Sequence, residues 1–127
     1  MPAPSSYDYA LIRVVPRVER QEFVNVGIIA WCRDHDVLES RISLDEARLR
    51  ALDPAVDADA VQRHLRSIEL ICSGGKDAGP IGSLPKRERF DWLVAPRSTI
   101  IQTSAVHTGR SSDIRATLEH LLATMVR

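Results

Sequence analysis

The run Arg97-Ser98-Thr99 sets a guanidinium beside two hydroxyls directly after a proline. Such a turn can receive an anion, because arginine grips a phosphate or carboxylate with two parallel hydrogen bonds and the first N–H groups of a strand lack ladder partners. Pro96 drives the residue before it out of helical geometry, so a preceding helix must stop at the turn. Gln102 and Ser104 follow on one face of the strand expected next, with His107 on the other if that strand stays regular. A second reading involves no ligand: Ser98 and Thr99 cap the strand start and Arg97 pairs with a nearby acid. A further polar group lies early in the chain. By strand parity Arg13 and Asn25 project from the non-core faces of neighbouring strands, with Gly27 close by and Glu22 at the mouth. These residues either form a polar pocket joined by the Arg97 cluster or reduce to a structural Arg13–Glu22 ion pair.

Other chemistries find little support. Ser104 and His107 are close in sequence, but no orienting acid or nucleophile-elbow pattern accompanies them. His35, His64, His107 and His120 are scattered, and neither a His-x3-His nor a Cys-x2-Cys pair occurs, so no metal site is expected. Gly74-Gly75-Lys76 resembles a phosphate loop only superficially. Asp77 follows the lysine where Ser or Thr is required, and a helix rather than a strand is expected before it. Nor does any pattern call for a cofactor. Arg87, Arg89, Phe90 and Trp92 could touch nucleic acid, yet 17 basic residues balance 17 acidic ones and aromatic content is 5%, so nucleic acid is an unfavoured partner.

The elements that must position these residues follow from periodicity. Tyr9 to Val15 alternates as a strand, with Ala10, Ile12 and Val14 on one face, and Pro16 ends it. Phe23 to Cys32 is the clearest strand. Val24, Val26, Ile28, Ala30 and Cys32 form one apolar face, and Gly27 in its middle marks a bulge or a close approach. Val37 to Ile42 is a third strand, completing an antiparallel meander. Ser43-Leu44-Asp45-Glu46 reads as a capping box ahead of a short helix to Leu52. Val61, Leu65, Ile68 and Cys72 make one stripe of a helix over about 57–72. Residues 73–83 read as a flexible Gly/Pro loop. Ser83 then caps a short helix with Pro85 in its first turn. Ser98 to Val106 is a fourth strand, and Ser111 or Ser112 caps a last helix with Ile114, Leu118, Leu121, Leu122 and Met125 inward. The sum is an α+β domain, an antiparallel sheet of about four strands with helices packed mostly on one face.

Length and composition agree with this. A chain of 127 residues, 44% hydrophobic and 27% charged, has the size and make-up of a single domain over 1–127 with a loose tail at 1–6. Cys32 and Cys72 fall on apolar faces and read as free buried thiols of a reducing cytoplasm. The N-terminal residues lack the basic and apolar regions of a signal peptide, and no apolar run is long enough to span a membrane.

Two stretches carry a family resemblance. Tyr9-Ala-Leu-Ile-Arg-Val-Val-Pro16 with Glu22-Phe-Val-Asn-Val-Gly27 is the first, and Phe90 to Gln102 with Val106-His-Thr-Gly109 the second. Together they resemble a bacterial family of unknown function, numbered three thousand and thirty-seven among such domains. The likeness runs from about residue 7 to residue 126, and the family's motif residues fall on Arg13, Pro16, Glu22, Asn25, Gly27, Arg97, Ser98 and Gln102. Members are often encoded beside a HipA-like kinase, which implies a protein partner. The resulting expectation is a small non-enzymatic binding or regulatory protein, compatible with a homodimer. The rival expectation is a nucleotide- or phosphate-handling enzyme or binder built on Arg13, Arg97, Ser98 and Gln102.

Overall fold

The structure, a computed structural model, describes residues 3–127. Its centre is a five-stranded antiparallel sheet, formed by β1 (Ser5–Val14), β2 (Val24–Cys32), β3 (Val37–Ile42), β4 (Ile101–Thr103) and β5 (His107–Ser111). The order is β3-β2-β1-β4, and β5 pairs with the other half of β1. The fold is therefore α+β, with the meander expected for the first three strands. The strand expected over 98–106 is confined to Ile101–Thr103, and a fifth, unexpected strand follows it at His107–Ser111. At Ser104 the backbone N–H donates to the Leu11 carbonyl (2.9 Å), and the Leu11 N–H donates to Ser104 Oγ (2.9 Å). That clasp ends β4, and the chain resumes along β1 as β5.

β1 also begins earlier than periodicity indicates. Ser5 and Ser6 pair with Ser111 and Arg110, so they belong to the sheet and not to a tail. The remainder of the expected tail includes Met1 and Pro2, which lie outside the described residues.

Both faces of the sheet are covered. Helices α1 (Glu46–Leu52), α2 (Ala58–Ser73) and α3 (Lys86–Leu93) bury Leu49, Val61, Leu65, Phe90 and Leu93 against Ile12, Val14, Val26 and Ile29. Helix α4 (Ile114–Met125) covers the opposite face, where Ile114, Leu118 and Leu121 meet Ile28, Ala30 and Cys32. Three of the four α-helices thus share one face. The single apolar face read for β2 is divided between two cores. The cause is a register shift: Ile12 pairs with Gly27 but Arg13 pairs with Asn25, which leaves Val26 as an extra residue. Such a bulge inverts the alternation on one side of itself. Gly27 also lies against β3, since a Cβ there would stand 2.7 Å from the Arg41 carbonyl oxygen.

The α2 start falls where expected, but the caps of α1 and α4 differ from expectation. Asp45, Asp57 and Asp113 cap α1, α2 and α4, each carboxylate accepting from the N–H three residues on. Ser43 stands two residues before the cap, still bonded to the sheet, where its N–H donates to the Val26 carbonyl (2.7 Å). Ser111 Oγ instead accepts from the Asp113 N–H (3.0 Å), one step outside the helix. Ser83 donates its hydroxyl to the Pro80 carbonyl (2.7 Å), and Pro85 holds the cap position of α3. The segment expected as a loop over 73–83 starts with the last residue of α2 and is mostly 3-10 turns over Lys76–Ser83. A hydrogen bond from the Gly75 N–H to the Gly82 carbonyl (3.1 Å) closes it.

Candidate functional site

Arg13 occupies the middle of a row across three strands. In register it stands between Asn25 of β2 and Gln102 of β4. Directly paired residues of an antiparallel sheet project to the same side, so three polar side chains stand abreast on the face that α4 covers. Asn25 meets the end of α4, its Nδ2 donating to the Met125 carbonyl (3.3 Å). The ring of Phe23, 44% exposed, lies over Arg13 with the guanidinium carbon 4.2 Å from its centroid. Such stacking orients a cation without neutralising it.

Arg97 reaches the same place from the other side. Its Nη1 donates to the Leu93 carbonyl (3.0 Å) and Nη2 to the Trp92 carbonyl (2.5 Å), at the C-terminus of α3. There the helix leaves carbonyls unpaired, and a cation is favoured by the dipole. The guanidinium also stacks on Trp92, 4.4 Å from the ring centroid. Arg97 is thus positioned by backbone carbonyls rather than by the carboxylate of the alternative reading, and among the described residues it has no acidic partner.

A cavity of about 310 Å3 opens between these two arginines, lined by Arg13, Gln21, Phe23, Arg97, Ser98 and Gln102. Ser98 is exposed at its edge. Gln102 is braced, its Nε2 donating to the Thr99 carbonyl (2.9 Å), while the Thr99 hydroxyl is turned to the Ile101 carbonyl (2.8 Å). Among the described residues Arg13 Nε and Asn25 Oδ1 are buried without a hydrogen-bond partner. A lone buried donor and a lone buried acceptor on paired positions are unusual, since groups of this kind are nearly always matched.

The residues expected to form a site divide accordingly. Arg13, Arg97, Ser98 and Gln102 share one cavity, with Asn25 beside Arg13. Thr99 lines an adjoining cleft instead. Glu22 does not pair with Arg13; it forms an exposed ion pair with Arg20 at 2.6 Å. Ser104 is buried and serves the strand break, its hydroxyl donating to the Ala105 carbonyl (2.8 Å). His107 is exposed on β5, its ring 5.5 Å from that of Tyr9, away from the arginines. Of the residues weighed for nucleic acid, Arg89 is buried and donates to the carbonyls of Ile71, Cys72 and Leu84, which closes α2 from below.

Gln21, Phe23 and Trp92 were not among the expected site residues. Gln21 sits at φ 58° where a 3-10 turn over Val18–Arg20 ends, and no sequence pattern marks it. In the sequence the arginine–aromatic stacks are only two aromatic and two arginine residues, with nothing to say that they meet.

A family model described as Protein of unknown function (DUF3037) matches residues 9–126. No curated protein and no solved structure matches the chain.

Proposed function

The chain belongs to that family of unknown function, and on this premise we propose a small non-enzymatic binding or regulatory protein that receives an anionic group between Arg13 and Arg97. What supports the reading is one observation: two guanidiniums without acidic partners open on one cavity, with Ser98 and Gln102 as further hydrogen-bonding groups. Charge-assisted hydrogen bonds from arginine are the strong ones, and a carboxylate or phosphate oxygen suits them. Against enzymatic turnover stands the absence, among residues lining the cavity, of a nucleophile with a base to activate it. The partner that the family resemblance implies is a HipA-like kinase.

Sulfate and inorganic phosphate test the anion site by thermal shift. A ligand held only by the folded state stabilises it by roughly 2.7 kcal/mol at one hundred times its dissociation constant. Ser98→Asp is the informative variant, because it puts a carboxylate beside both guanidiniums without removing the helix-capping bonds of Arg97. We expect a wild-type shift that Ser98→Asp abolishes. Co-expression with a HipA-like kinase encoded alongside should yield a stable heteromer. Hydrolysis of a phosphate ester by the isolated protein, lost in Arg97→Ala, would replace this reading with that of a phosphate-handling enzyme.

A further inference from the structure

A second cleft adjoins the arginine cavity. It is about 160 Å3 and largely apolar, walled by Ile68 and Ile71 of α2, Trp92 and Leu93 of α3, and Ile101 of β4. Arg97 and Gln102 line both spaces, so whatever lies in one is within reach of the other. Neither lining contains an acid. The size is selective. An apolar cavity of about 150 Å3 holds a single benzene ring, whereas sites for small-molecule ligands run to roughly 300–1,000 Å3. One hydrocarbon side chain fits a cleft of this size.

We propose that the two spaces together receive an acidic peptide segment, with an aliphatic side chain in the cleft and a neighbouring Asp or Glu carboxylate between Arg13 and Arg97. The inference rests on the anion-binding reading and adds the class of partner. Uncompensated positive charge beside an apolar slot is complementary to those two side chains. Trp92, 42% exposed, walls the cleft, and Arg97 stacked on it is held in place before any ligand arrives. A pre-positioned aromatic and arginine pair is the kind of anchor from which peptide interfaces draw most of their affinity.

Calorimetric titration of four acetylated, amidated hexapeptides tests this. Each carries one leucine and one glutamate in a Gly/Ser background, as Leu-Glu, Leu-Gly-Glu, Glu-Leu or Glu-Gly-Leu, so that spacing and direction are both sampled. At least one should bind about tenfold more tightly than its counterpart with alanine for leucine, and glutamine for glutamate should weaken it as much. Ser67→Leu, at an exposed α2 position on the cleft, should fill the slot and erase the preference for leucine over alanine while melting as the wild type does. Sulfate separates the two levels of failure. If sulfate binds and no peptide distinguishes leucine from alanine, the peptide inference is wrong and the anion site stands. If neither sulfate nor any peptide binds, the anion site itself is wrong. Adenosine monophosphate binding that Ser67→Leu weakens would put a base in the cleft and overturn the peptide assignment.

Discussion

Arg13 is unusual because its surroundings give it a position without a partner. Its Nε is buried and unmatched among the described residues, as is Oδ1 of the paired Asn25. A buried donor left unsatisfied opposes folding, whereas an apolar replacement of similar length removes that cost. Arg13→Met should therefore lower stability by less than about 1 kcal/mol, or raise it, while abolishing sulfate binding. Urea melts beside sulfate titrations would show this split, and a loss of several kcal/mol would mean that Arg13 is chiefly structural. Cys72 offers a second test at this scale. Burial pushes its thiol up to about 11, above the roughly 8.5 of an exposed cysteine. The folded state then keeps a proton that the unfolded chain has lost, so this stabilisation is complete below about pH 8.5 and falls away as pH rises toward 11. Across that window the wild type should lose up to roughly 3 kcal/mol more than Cys72→Ala. Comparing the two proteins removes the contribution of Tyr7, whose hydroxyl burial also pushes upward.

Among the elements, caps and the bulge decide where helices start and which way side chains face. Asp113 accepts from the Ala116 N–H (3.2 Å), while Ser43 is engaged through its backbone in the sheet. Asp113→Ala should cost about 1 kcal/mol, seen as a melting temperature lower by a few degrees. Ser43→Ala should be near neutral, and the reverse order would restore the capping box. At the bulge, Gly27→Val would drive a branched side chain toward the Arg41 carbonyl, with Ile12 Cδ1 and Ile42 Cγ1 each 3.1 Å from the Cβ position. Overpacking of this kind costs roughly 1–3 kcal/mol, the opposite of the β-branched preference in an open strand. A neutral variant would remove the close contact between β2 and β3.

For the whole molecule, the decisive feature is a sheet with apolar side chains on both faces. Val61 from α2 and Leu118 from α4 are fully buried in separate cores. Truncating either should leave a cavity, so Leu118→Ala should cost about 2–5 kcal/mol and Val61→Ala somewhat less. Chemical denaturation of both variants is the measurement. If Leu118→Ala were harmless, α4 would not be covering a real core. The site depends on this two-sided build. The first core carries α3, whose end holds Arg97, and the second brings α4 to Asn25. No helix in the described residues is long and apolar enough to cross a membrane.

Strand and helix types were legible wherever hydrophobic periodicity was strong, as in β2, α2 and α4, because period follows from backbone geometry and needs no partner. The special place of Gly27 was legible too, since only close approach or a bulge accounts for glycine inside such a strand. Parity and turn chemistry also single out Arg13, Arg97, Ser98 and Gln102 before any contact is known, and these four line one cavity. Tertiary structure alone decided the rest. The inserted residue at Val26 inverts side-chain direction, and it is set by pairing with β1 rather than by anything local. The early end of β4 comes from Ser104 binding Leu11, 93 residues away. Glu22 turned to Arg20 instead of Arg13 because both lie outside the sheet, where a neighbour two residues away is reached at less entropic cost. That Arg97 would be held by carbonyls, and so remain a cation without an acid, required the end of α3 to be placed beside it.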